Sequence, residues 1–291
     1  MWDELRQVLE TPREELIYIP NIGNAGDAFI AHATYQLFDR WNIRYKIGNI
    51  AGTYPGETVV CAGGGALITP YDYMINCIRR NMTSCRSMII LPHTIRSYPE
   101  VLGQLGGRSF VFCRDRPSYE FIKSVNYTCN VFLSDDLAFG CDFGKTESHV
   151  RALTFRGAVE LVTNPRANVR LWRRIRRDAE FAQRVQVKGT LNAFRTDIEK
   201  TAITLPKDNL DVSEAFADVS MLPLIAGHTT YRMFRFLKRF RAVRTNRLHI
   251  AIMSAMLGRE VDFYDNSYGK NRDVFEHSMR GRYPNVRWHS D

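Results

Sequence analysis

Short runs of consecutive apolar residues alternate with stretches of helical periodicity along the first half of the chain. Residues 16–20 (LIYIP), 58–62 (TVVCA), 87–91 (SMIIL), 109–113 (SFVFC) and 130–133 (NVFL) predict strands covered on both faces. Phe29, Ile30, Ala33 and Leu37 mark one face of a helix after the first strand, and residues 118–124 predict another after the fourth. Each strand ends in a polar or glycine-rich turn: residues 21–27, Gly63-Gly64-Gly65, Pro92 and Arg114-Asp115. This alternation implies a parallel sheet with helices on both faces.

The rhythm stops at residue 143, where a polar and then strongly basic stretch begins, and resumes near residue 185. Residues 185–194, 242–245 and 261–264 predict strands, residues 197–201 a turn or short helix, and residues 221–240 and 248–257 helices. The expected class is α/β, with two Rossmann-like domains facing a cleft. Residues 1–142 form the first domain, 143–184 a basic connector and 185–291 the second domain. Ligands of such sheets bind beyond the carboxyl ends of the strands.

Charge sharpens this picture. The 291 residues carry 40 Lys and Arg against 31 Asp and Glu, and the whole excess lies after residue 150. The second half is therefore expected to meet an anion: phosphate, a membrane surface or nucleic acid. No run is long and apolar enough to span a membrane, and the opening residues do not read as a secretory signal. The six cysteines all lie before residue 142 without a C-x-x-C pair, which favours reduced, buried thiols.

Candidate chemistry gathers at the strand ends. The turn over residues 21–27 (NIGNAGD) can approach a ligand through its glycines, and Asp27 can cap the next helix or act as a base toward a hydroxyl. Gly63-Gly64-Gly65 reads as a tight turn on the same sheet edge. His93, Arg114, Asp115 and Asp136 continue that edge. In the second half, Arg195 ends a strand, while Arg247 and His249 stand at the start of a helix, a setting for phosphate or carboxylate. Lys270 follows the last predicted strand.

The ordered series resembles the polysaccharide pyruvyl transferase family. The matching pieces are N-x-G-N-x-G-D at 21–27, G-G-G at 63–65, L-P-H-T at 91–94, R-D at 114–115 and D-D-L-A-F at 135–139. F-R-T-D-x-E at 194–199, D-V-S at 211–213, R-L-H at 247–249 and N-S-Y-G-K-N at 266–271 complete it. His93 departs from the glutamine often found after that proline. The resemblance implies a fold like that of GT-B glycosyltransferases, phosphoenolpyruvate as donor, and a sugar diol of a lipid-linked bacterial polysaccharide unit as acceptor. The product would be a cyclic pyruvate ketal, with phosphate released. It implies donor contacts from Arg195, Arg247, Leu248 and His249, to which the residue reading adds Lys270. The acceptor would meet Asn21, Asn24, Asp27, Gly64, Gly65, His93, Arg114 and Asp136. His249 is the expected acid and Asp27 the expected base; no metal and no cofactor is expected. Two other readings remain at this point: a glycosyltransferase with a nucleotide-sugar donor, and a non-catalytic saccharide-binding protein. Nucleic-acid binding is suggested by charge alone, without a recognition motif, and is not expected.

Residues 166–177 place Val169, Trp172 and Ile175 on one helical face flanked by Arg173, Arg174, Arg176 and Arg177. A basic amphipathic helix of this kind can lie on anionic lipid. Residues 233–241 mix Phe with Lys and Arg in the same way. The expected location is cytoplasmic, peripheral at the inner face of the cell membrane.

Overall fold

The computed structural model describes residues 2–12, 14–148, 176, 189–218 and 220–290. It is an α/β protein with two sheet-containing domains that face each other. In the first domain, helix α1 (Asp3–Glu10) precedes β1 (Leu16–Ile19), α2 (Ala25–Arg40), β2 (Tyr45–Ile47), β3 (Thr58–Cys61) and β4 (Gly64–Leu67). Then come α3 (Tyr73–Asn81), β5 (Ser87–Ile95), α4 (Pro99–Leu102), β6 (Ser109–Cys113), α5 (Arg116–Val125) and β7 (Asn130–Leu133). The second domain holds β8 (Thr190–Asn192), α6 (Val212–Ala215), α7 (Pro223–Leu237), β9 (Ala242–Thr245), α8 (Leu248–Met256), β10 (Glu260–Tyr264), α9 (Lys270–Val274) and β11 (Val286–His289).

The first sheet runs β2-β1-β3-β5-β6-β7, with β4 added beside β5; the second runs β11-β10-β9-β8. The pairings are parallel throughout. Strands β1 and β3 are buried at every position, as continuous apolar runs between helix layers must be. Parallel pairing sends the carboxyl ends of both sheets toward one cleft.

Two features depart from the sequence reading. β5 does not end at Pro92 but continues to Ile95. Proline removes a ladder donor, and the register to β6 shifts between Ile90 and His93, while on the other side β4 takes over from β3 as the neighbour. The three glycines are likewise not a simple turn, because Gly64 already opens β4. A Cβ on Gly63 would stand 2.6 Å from the Pro92 carbonyl oxygen, so only glycine lets the two backbones meet. Helices α1, α3, α4, α6 and α9 and strands β2, β4 and β11 are additions to the predicted set.

Helix α7 lies between β8 and β9 in the chain yet packs against α2 of the first domain. Phe143 joins them, its ring stacked 6.0 Å from Phe29 and tilted 5.3 Å from Phe234. Met233, Phe234, Phe236, Leu237 and Phe240 are buried. The aromatic residues of 233–241 are thus core, not a lipid-facing stripe, while Lys238 and Arg239 lie over the Phe234 and Phe236 rings. Trp172, Arg173, Arg174 and Arg177 fall outside the described residues; Arg176 is exposed. No helix among the described residues is long and apolar enough to cross a membrane.

Candidate active site

A cavity of about 360 Å³ opens between the domains. Its first wall is the amino end of α2. Asn24 caps that helix, its Oδ1 accepting from the Gly26 amide at 2.9 Å, while the Asp27 carboxylate accepts from the Asn24 amide at 3.0 Å. Asn21 donates to the other Asp27 oxygen at 3.1 Å. Asp27 therefore does cap, but it also lines the cavity. Burial pushes its carboxyl above the usual range against the opposing pull of His249, which favours a proton acceptor over an inert anion.

The second wall carries the cations, each delivered by a strand end. Arg195 follows β8 and Arg247 follows β9, as Lys270 does a left-handed Gly269 with φ of 82°. None of the three stands alone. Arg195 donates from Nε to Asp197 at 2.8 Å and reaches Glu199 through Nη1 at 2.7 Å. Arg247 donates from Nε to Asp211 at 2.9 Å, with Nη1 2.8 Å from Asp197 and Nη2 3.3 Å from Glu214. Lys270 Nζ lies 2.9 Å from Glu199. Burial, opposed by Glu199 and aided by Arg195 and Arg114, brings the Lys270 ammonium down to about 8. Glu199 is the hub: it also accepts from Asn266 at 3.2 Å and, across the cleft, from Tyr71 at 3.1 Å. Burial would raise its carboxyl, but Lys270 and Arg195 prevail and hold it at about 2.

His249 sits in the first turn of α8, against the first domain. A Cβ on Gly26 would come within 2.6 Å of its Nδ1, so the bare glycine is what lets the imidazole reach α2. Its Nε2 is 3.5 Å from Asp136 Oδ2. Asp136 in turn holds the buried Arg114 at 2.7 Å. The cleft thus combines an imidazole, a carboxylate of raised basicity and four cations at the meeting of two sheets.

The sequence pattern of the family described as "Polysaccharide pyruvyl transferase" matches residues 24–268. The chain belongs to the polysaccharide pyruvyl transferase family. A Bacillus subtilis (strain 168) relative described as "Putative pyruvyl transferase EpsO" is 25% identical over 299 residues, covering 92% of this chain and 87% of that one. The crystal structure of an uncharacterized protein from Klebsiella pneumoniae subsp. pneumoniae NTUH-K2044 superposes with a TM-score of 0.77 at 30% identity, covering 99% of this chain and 96% of that one. Membership supports transferase activity of the pyruvyl-to-polysaccharide class.

In this pyruvyl transferase family member, Asn21, Asn24, Asp27, Gly65, Arg114, Arg195, Arg247, Leu248, His249 and Lys270 all line the cavity. Gly64, His93 and Asp136 stand behind its wall. His93 is fully buried and both its nitrogens are taken: Nε2 accepts from the Ala66 amide at 2.8 Å and Nδ1 meets the Ala62 carbonyl at 3.1 Å. Burial and nearby Arg114 bring it down to about 3, so it is a neutral pin between β3, β4 and β5 rather than a ligand contact. Gly64 adopts φ of 140°, open to glycine alone, and a Cβ there would press on Asn21 Nδ2 at 2.9 Å. Tyr71, Tyr73, Glu199 and Glu214 also line the cleft, and the sequence pattern does not single them out. Glu199 was visible only as the end of a motif, four residues after Arg195. Tyr71 lies in the turn after β4 and Tyr73 opens α3, in a T-P-Y-D-Y stretch that carries no chemical signature.

Proposed function

We propose that this protein transfers pyruvate from phosphoenolpyruvate to two hydroxyls of one sugar in a lipid-linked polysaccharide unit. The product is a cyclic ketal, and phosphate is released. The observation that carries this reading is the convergence of His249 and Asp27, from different domains, on a cleft whose second wall bears Arg195, Arg247 and Lys270. The two parallel sheets facing that cleft support a GT-B-like arrangement.

A sugar hydroxyl attacks C2 of the donor; its proton passes to Asp27, and the double-bond electrons take a proton from His249 to give a methyl group. The C2–O bond to phosphate then breaks and phosphate keeps the electron pair. The second hydroxyl attacks C2, returning a proton to His249, while Asp27 yields its proton to phosphate. The cations answer the donor's phosphate and carboxylate, which charge-assisted contacts hold well in a site shielded from water. Leu248 adds backbone and apolar contact.

Location follows the acceptor. A lipid-linked sugar is offered at the cytoplasmic leaflet, and the basic stretch with Trp172 and its arginines would hold the enzyme there. The decisive experiment incubates the protein with phosphoenolpyruvate and lipid-linked oligosaccharides. Phosphate release matched by the pyruvyl mass gain is expected; phosphate release without an acceptor product would refute the transfer.

A further inference from the structure

Arg96 stands immediately after β5 and does not line the cleft. Its guanidinium joins the two domains. Nη2 lies 2.9 Å from Asp115 Oδ1 in the first domain and donates at 2.9 Å to Asp273 Oδ2, in α9 of the second. Nη1 donates to the Ile95 carbonyl at 2.9 Å and to Ser118 Oγ, which fixes the fork on the first domain. The contacts continue inward. Asp115 Oδ2 accepts from Thr94 Oγ1 at 2.8 Å, and Thr94 Oγ1 accepts from Arg114 Nε at 2.9 Å. Arg114 holds Asp136, which faces His249 of the second domain. Thr94, Arg114, Asp115 and Asp136 are all buried. One chain of contacts therefore leaves the second domain at Asp273, crosses the first, and returns to the second at His249.

Helix α9 has only five residues. Asn271 ties it to its own domain, donating to the Asn246 and Tyr264 carbonyls at 2.7 and 3.0 Å. Lys270 reaches Glu199 and Asp273 reaches Arg96, so the helix that carries the cleft ammonium also makes the contact across the boundary.

We propose that the Arg96–Asp273 pair is an interdomain clasp, and that both are positioning residues holding Lys270 and His249 against the first domain. A lone surface ion pair would contribute little. This one is a planar fork with four partners, seated on a buried carboxylate, so its direction is set. Burial pushes the Asp273 carboxyl up against the pull of Arg96, with Asp115 adding to the rise. The attraction thus does not fully offset desolvation, and the contact can open at small cost. The clasp stands whatever the donor is; its effect on turnover rests on the phosphoenolpyruvate reading.

NMR of the whole chain with lysine labelled at Cε with carbon-13 tests this, Lys270→Gln assigning the resonance. Burial, opposed by Glu199 and aided by Arg195 and Arg114, sets the Lys270 ammonium at about 8. Asp273→Asn removes the charge and keeps the shape. With the clasp open, Lys270 moves away from Arg114 and gains water, so its titration should rise by roughly one unit or more toward the ordinary lysine value. Loss of the carboxylate without opening would move it the other way, since one anion fewer disfavours an ammonium. Asp273→Glu, which keeps the charge within reach of the fork, should stay near the unaltered chain. Thermal melting shows that both variants fold. An unchanged or lowered Lys270 titration in folded Asp273→Asn overturns the clasp, and so does an equal rise in both variants. With phosphoenolpyruvate as donor, KM should rise roughly fivefold or more in Asp273→Asn and recover in Asp273→Glu. A raised Lys270 titration in a chain without phosphoenolpyruvate turnover would refute the donor and keep the clasp.

Discussion

Asp136 at the end of β7 and His249 at the start of α8 face each other at 3.5 Å across the domain boundary. That distance is a contact of charge and orientation rather than a full hydrogen bond. The same carboxylate holds Arg114, and although burial alone would raise it, Arg114 and His249 keep it well below the usual range, so it stays ionised. Asp136→Ala would leave the Arg114 charge buried and unpaired, a loss of about 3–5 kcal/mol. Urea denaturation should show that loss. Asp136→Asn, which keeps a hydrogen-bond acceptor, should lose less stability and still drop kcat by roughly tenfold or more through a misplaced imidazole.

Gly26→Ala tests the position of the imidazole without touching a reacting group. The added methyl would meet His249 Nδ1 at 2.6 Å and the ring must swing away. Steady-state kinetics should show kcat lowered about as far as in His249→Ala, with a folded chain in both cases. Wild-type kcat in Gly26→Ala would mean that the ring has room to spare.

Asp27 caps α2 and is the proposed base. Asp27→Asn retains an oxygen for the Asn24 amide but no basicity. Turnover should fall by roughly a hundredfold or more, while the melting temperature moves by only a few degrees, corresponding to about 1 kcal/mol. Equal losses in both would reduce Asp27 to a cap.

Lys270 sets an alkaline limit. Its ammonium is brought down to about 8 because burial and the neighbouring Arg195 and Arg114 outweigh Glu199. It is charged below that pH and neutral above it, so the attraction proposed for the donor should be present on the acid side and lost as pH rises. The donor's kcat/KM should decline above about pH 8. In Lys270→Arg, which stays charged, that decline should move to higher pH even if the maximum is lower.

Membrane attachment is tested by vesicle sedimentation. Binding to anionic vesicles that weakens with salt is expected, with a clear loss when Arg173, Arg174, Arg176 and Arg177 are changed to Glu. Retention of binding in that variant would move the contact elsewhere.

The strand ends were legible because each is announced twice, by an apolar run and by the polar residues that stop it. That double signal sets Asn21, Arg114, Arg195 and Arg247 at strand ends around one cleft. His93 shows the limit of the same signal: it ends an apolar run, yet β4, hidden among three glycines, covers it and takes both its nitrogens. The carboxylates were the larger omission. Cations stand out in a basic half-chain, whereas Asp197, Glu199, Asp211 and Glu214 acquire meaning only once folding sets them on Arg195, Arg247 and Lys270. Residues 233–241 mislead for a related reason, since a helix between two domains is apolar toward one and basic toward solvent, much as a lipid-bound helix is.

The packing of α7 on α2 makes the two halves of the polypeptide interdependent. The α2 face that carries Ala28 and Phe29 finds its cover in a segment synthesised some two hundred residues later, for Thr230 Oγ1 reaches the Ala28 carbonyl at 3.5 Å and Tyr35 donates to the Met221 carbonyl at 2.7 Å. A ribosome that has released only the amino-terminal sheet therefore holds a nascent chain with an uncovered apolar helix. The core closes only once α7 has also left the ribosome, and shuffling one half against that of a distant homologue would require matching these two helices first.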